Sequence, residues 1–175
     1  MERVTIAPGD TAFMPLRFDS YPISHSLALD VLWAVLFALG MWRATRSRSA
    51  ALASAALVVS HWLLDFATHR ADMPVFPGGR RYGLGLWNSV PATLAIESAL
   101  FVVGVTMYAR ATRPKDGIGR YGLVGLVLVL VVAYLGAAFG PTPPSVGVVV
   151  GTGMAGGVLL IVLSAWVDRH RRPAG

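Results

Sequence analysis

Residues Ala50–Thr68 read AALASAALVVSHWLLDFAT, an apolar run interrupted near its end by His61 and Asp65. Crossing the hydrocarbon core of a bilayer takes roughly 20 mainly apolar residues, so this run is long enough to span. Four more segments of that kind follow from the same reading: Ser26–Trp42, Val90–Ala109, Tyr121–Phe139 and Val146–Val167. Of the 175 residues 55% are hydrophobic and 14% charged, and mean hydropathy is +0.61. Soluble domains carry about 25% charge. The sequence therefore predicts an all-α, polytopic membrane bundle of five transmembrane helices. Residues 1–24 form an extracytoplasmic segment, 25–169 the membrane domain and 170–175 a basic tail, which leaves no length for a separate soluble domain.

Charge sets the expected orientation. Ten of the fifteen Lys and Arg residues fall on one side of a five-span chain: Arg43, Arg46, Arg48, Arg110, Arg113, Lys115, Arg120, Arg169, Arg171 and Arg172. The other side receives Arg3, Arg17, Arg70, Arg80 and Arg81. Short basic connections stay in the cytoplasm, so the amino end is expected outside and the carboxyl end inside. The net charge of +6 then marks orientation and contact with anionic membrane lipids, not a nucleic-acid surface. No cleavable signal peptide is expected, because MERVTIAPGDTAF lacks a basic region followed by an apolar core. With no cysteine, thiolate metal ligands and disulfides are ruled out. In the last span Gly147 with Gly151, and Gly153 with Gly157, allow close helix packing. That packing is either within the bundle or between copies in a homo-oligomer.

Within that layout, polar residues of three spans reach similar depths in the outer half of the membrane. His25 stands at the mouth of the first span with Asp30 about 7 Å deeper, and Glu97 lies about 12 Å into the third. Asp65 and His61 lie about 6 and 12 Å below His69. An acid at a helix centre costs about 3 kcal/mol on insertion scales, so these groups are expected to face inward toward one another, water or a cation. His61 and Asp65, four apart on one helical face, can chelate one ion, with His25 as third ligand. Zinc is the expected metal. Asp30 or Glu97 is a fourth ligand or the base that activates water. His69, two turns from His61, serves a second metal, an outer shell or acid–base chemistry, unless the helix ends near Thr68 and the chain folds back. The loop RADMPVFPGGRRYGLGLWN brings Arg70, Arg80 and Arg81, suited to holding phosphate or carboxylate groups, or else simply solvated.

The blocks YPISHSLALDVLW, SHWLLDFATHRADMPVFPGG and GLGLWNS resemble a family of small bacterial inner-membrane proteins described as metal-dependent hydrolases. The similarity runs from about Ile6 to Arg113. It implies an inner-membrane location and a His/Asp motif carried by His25, His61, Asp65 and His69. Members of the family begin with a further hydrophobic helix bearing a Gly-His pair and an Asp. Here the chain opens on MERVTIAPGDTAF, which resembles the segment after that helix, so any ligands on it are expected to be missing.

Three functions follow from these residues. The first is a metal-dependent hydrolase acting at the outer face on a lipid-linked or phosphate-bearing substrate. The second is an ion- or proton-binding transport component, and the third a structural or assembly factor.

Overall fold

A computed structural model describes residues 2–174 and divides into two compact units, 1–93 and 94–175. The first unit opens with an antiparallel hairpin of β1 (Arg3–Ile6) and β2 (Leu16–Ser20), pairing Arg3 with Ser20 and Ile6 with Leu16. One helical turn follows, α1 (Pro22–His25), with Pro22 in the first-turn position where its missing N–H is harmless. Two spans come next, α2 (Leu27–Thr45) and α3 (Arg48–Thr68), packed as a helical hairpin. Their link is only Arg46 and Ser47. Arg46 takes the left-handed conformation with φ 56°, and its N–H bonds to Trp42 O. The Ser47 side chain caps α3 by accepting from Ala50 N at 3.2 Å.

Beyond α3 the chain makes a small ribbon of β3 (Met73–Pro74) and β4 (Arg81–Tyr82), then a 3-10 turn at Leu86–Asn88. It returns along the end of α3, where Leu84 N bonds to Phe66 O at 2.8 Å and Gly85 N to His69 O at 2.7 Å. Those amides satisfy carbonyls that a helix end leaves without partners. Glycine is required at 83, since a Cβ there would collide with the Arg70 carbonyl. Beneath this cover lies a small core of Tyr21, Trp62 and Met73, flanked by Phe18, Leu27 and Phe66. The third span, α4 (Val90–Ala111), begins here, and buried Thr93 bonds to Leu86 O and Ser89 O, both at 2.9 Å.

The second unit continues α4 and adds β5 (Thr112–Pro114), α5 (Gly117–Phe139), α6 (Val146–Arg169) and β6 (Arg171–Pro173). Asp116 caps α5 from Gly119 N at 2.8 Å, and Ser145 caps α6 from Val148 N at 3.2 Å. β5 and β6 pair with Arg113 opposite Arg172, so the basic C-terminal residues form a strand. Arg171 is buried there, donating to Gly119 O, Thr112 Oγ1 and Thr112 O.

Among the described residues, five helices of 19 to 24 residues are long and apolar enough to cross a membrane. At 1.5 Å per residue they measure about 28 to 36 Å. Leu57, Val132 and Ile161 are about 70% exposed, an arrangement that lipid tolerates because its tails are as apolar as the side chains. The chain is a polytopic helical membrane protein. Two features differ from the sequence reading. The helices run past the apolar segments, so Arg43 lies within α2 and Arg48 opens α3. Long basic stems can lie along the helix while their charges reach the interface. Among the described residues three two-stranded ribbons also accompany the helices, too short to leave an alternating signature in sequence.

Candidate metal centre

His25, His61 and Asp65 meet in the first unit, at the end of the α2–α3 hairpin opposite the Arg46–Ser47 link. Spacing does part of this work, since His61 and Asp65 are one turn apart on α3 with Nε2 and Oδ2 separated by 3.3 Å. His25 is brought in by its neighbours. The Trp62 indole N–H donates to His25 O at 3.0 Å and reaches Pro74 O at 3.3 Å, fastening α1 and β3 to α3. This sets His25 Nε2 3.3 Å from the same Asp65 Oδ2. One ligand atom from each of the three residues lies within 4.8 Å of the others.

The contacts at Asp65 are not ordinary hydrogen bonds. Oδ2 is buried and has no hydrogen-bond donor, although two imidazole nitrogens stand 3.3 Å away. Donor atoms of a tetrahedral site with bonds of about 2.1 Å stand about 3.4 Å apart. The two measured edges match that spacing, and two imidazoles with one carboxylate form a donor set suited to zinc. The residues present therefore fit a divalent cation. His61 is 51% exposed against 20% for His25 and 17% for Asp65, which makes it the most open of the three. Burial pushes the His25 imidazole below its ordinary value, against the opposing pull of Asp65.

Asp30 is the next group out. It is buried on α2, its Oδ2 also lacks a partner, and it interacts electrostatically with His61 and Asp65. His69 caps the C-terminus of α3 in an extended conformation, so the helix does end at Thr68. Its ring lies 6.3 Å from that of His25 and packs, tilted, against Phe18 at 4.8 Å and Trp87 at 4.4 Å. Nδ1 is 3.1 Å from Asp72 Oδ1, which also accepts from the Tyr21 hydroxyl at 2.7 Å. Burial alone would raise the Asp72 carboxyl, but the donors His69, Tyr21 and Arg70 outweigh it and hold it below the usual range. Burial and then Asp72 push the Tyr21 hydroxyl well above its ordinary value.

The arginines divide. Arg70 is engaged by Asp10 at 2.8 Å and by Asp72 at 3.3 Å, which makes it a tie between the N-terminal segment and the end of α3. Arg80 is exposed. Arg81 donates to Asp19 O at 3.3 Å and borders a cleft of about 130 Å³ with Tyr21 and Asp72. Glu97 belongs to the second unit, where its Oε2 accepts from the Tyr134 hydroxyl at 2.7 Å.

Several participants escape a sequence reading. Tyr21, Trp62 and Asp72 look like ordinary core or loop residues until the fold places them. Only Asp72, three residues after His69 in HRAD, carries a local signal. Asp10 acts across sixty residues and leaves none.

Comparison with known proteins agrees with this membrane architecture. No curated protein and no solved structure matches the chain. The family described as YdjM inner membrane protein matches residues 21–164, a stretch that holds His25, Asp30, His61, Asp65 and His69 and reaches into α6. The chain belongs to the YdjM inner membrane protein family.

Proposed function

We propose that the chain is a membrane-embedded, metal-dependent hydrolase working at the outer face of the inner membrane on a lipid-linked or phosphate-bearing substrate. The observation that carries this reading is the convergence of two imidazole nitrogens on a buried Asp65 oxygen that has no hydrogen-bond donor. Buried carboxylate oxygens are costly to leave unmet, and a cation meets this one. When bound, a divalent cation supplies Lewis acidity toward a carbonyl or phosphoryl oxygen and makes water a better nucleophile near neutral pH.

The protein's own groups divide the remaining work. His25, His61 and Asp65 hold the cation. Asp30, with an unpartnered Oδ2 beside them, accepts a proton from the attacking water as the new C–O or P–O bond forms. That proton then passes to the departing ester oxygen as the old bond breaks, so no other reactant is needed. His69 donates Nδ1–H to Asp72, which leaves Nε2 free for proton transfer. Arg81 offers a guanidinium to an anionic headgroup, while Arg70 keeps the cover closed through Asp10 and Asp72. The excess of basic residues on the α2–α3, α4–α5 and C-terminal ends supports an outward-facing site.

Zinc content of the purified protein, compared with a His61→Ala, Asp65→Ala double variant, tests the centre. Stoichiometric zinc in the wild type and its loss in the variant are expected; equal content in both refutes the ligand set. Release of product from envelope lipid extracts then separates hydrolysis from a non-enzymatic ion-binding or assembly role. An Asp30→Asn variant should keep its zinc and lose turnover.

A further inference from the structure

The N-terminal segment reaches the metal centre through hydrogen bonds that fix one imidazole. Pairing of Arg3 with Ser20 brings Glu2 beside α1. There Glu2 Oε1 accepts from Ser24 Oγ at 2.8 Å, Ser24 N at 2.8 Å and Ile23 N at 3.0 Å. Ser24 Oγ also lies 2.5 Å from His25 Nδ1. A hydroxyl has a single hydrogen to donate, and a carboxylate can only accept. Ser24 gives its hydrogen to Glu2, so the Ser24–His25 bond must take its hydrogen from Nδ1. A neutral His25 then keeps its lone pair on Nε2. The atom carrying it lies 3.3 Å from Asp65 Oδ2, and Oδ2 has no donor of its own. Two electron-rich atoms held this close repel unless a proton or a metal cation stands between them.

We propose that Glu2 and Ser24 are positioning residues that lock His25 in its Nδ1–H tautomer and present Nε2 to the cation shared with His61 and Asp65. The inference rests on the metal centre proposed above and deepens it. Outer partners of this kind orient a ligand ring and raise its basicity. Glu2 lies ahead of the residues matched by the family, 21–164, so this support is supplied by the N-terminal segment.

Two measurements on the intact chain test it. Histidine ¹⁵N NMR without added metal, at mildly alkaline pH, should show His25 as Nδ1–H in the wild type and as a mixture in Ser24→Ala. Zinc affinity by chelator competition should fall by roughly 10- to 100-fold in Ser24→Ala and Glu2→Ala. Ser24→Thr, which keeps the hydroxyl, and Glu2→Gln, which keeps an acceptor oxygen, should stay close to wild type. Their retention separates positioning from loss of fold. Unchanged affinity in both alanine variants, with His25→Ala still losing zinc, overturns the proposal. No zinc binding by the wild type overturns the metal centre itself. The NMR then judges the hydrogen-bond chain separately, and an Nε2–H tautomer in the wild type overturns that as well.

Discussion

Among the described residues the two units differ in how completely their buried polar groups are met. In the second, Arg171 is 7% exposed, yet its guanidinium meets Gly119 O, Thr112 Oγ1 and Thr112 O and leans on the Tyr108 ring at 5.5 Å. In the first, Asp30 Oδ2, Asp65 Oδ2 and Trp87 Nε1 are the buried side-chain atoms left without partners among the described residues. Most buried polar atoms in folded proteins are bonded, so the exceptions ask for an explanation. A charge whose bonds are complete holds a fold together. Acceptors left unmet beside two imidazoles describe a site prepared for something else to enter.

The contrast can be broken most sharply at two glycines. A Cβ on Gly83 would strike the backbone carbonyl of Arg70, and one on Gly119 the carbonyl of His170. Neither obstacle is a flexible side chain, so Gly83→Ala and Gly119→Ala should each destabilise by about 3 kcal/mol, the upper end for overpacking. Their effects on zinc should differ. Gly83 presses on the segment that carries His69 and caps α3, so its alanine variant should bind zinc at least tenfold more weakly. Gly119→Ala should leave zinc affinity unchanged. Chelator competition alongside thermal unfolding checks both, and weakened zinc binding in Gly119→Ala would erase the distinction between the two regions.

Next in size is Arg171→Met. The substitution keeps much of the aliphatic volume but strips Gly119 O and Thr112 of their donor. An unmet buried acceptor costs about 1–3 kcal/mol, so a loss near 2 kcal/mol is expected. Zinc content should be unaltered. A neutral outcome would mean that water replaces the guanidinium and that the C-terminal strand is held by its backbone pairing with β5.

How much of this was written in the sequence depends on the range of each interaction. The spans were readable because burial in lipid acts on every residue of a segment, and the i, i+4 pair His61 and Asp65 because helical geometry is local. His25 could be nominated on depth alone. What fastens it, the Trp62 indole on its carbonyl, depends on how α1 docks against α3. Arg70 resembled an anion-binding group, and its engagement by Asp10 could not be foreseen because a loop sixty residues away supplies the carboxylate. His69 was ambiguous for a similar reason. Its ring direction is set by Asp72 and Tyr21, and by a helix end that no proline or glycine announces. The β1–β2 hairpin left no trace in hydropathy, yet it delivers Glu2 to Ser24.

The smallest effect concerns the second unit's own carboxylate and histidine. Asp116 Oδ2 lies 2.7 Å from His170 Nδ1, and Asp116 Oδ1 accepts from Gly119 N at 2.8 Å. The bond from His170, followed by the Gly119 amide, holds the Asp116 carboxyl below its ordinary range. A carboxyl depressed in the folded state stabilises above its unfolded pKa of about 3.9, and that contribution disappears as pH falls through the folded value. The wild type should therefore lose thermal stability below about pH 4 faster than Asp116→Asn, which keeps an oxygen for the cap but cannot ionise. The difference between the two unfolding curves is the quantity to follow, because other carboxyls titrate in the same window and cancel in the subtraction. Since Asp116 is exposed, added salt should shrink the difference. A difference that survives high salt would assign the effect to hydrogen bonding at the cap and not to charge. The second unit would then be held at this end, as at Arg171, by completed bonds alone.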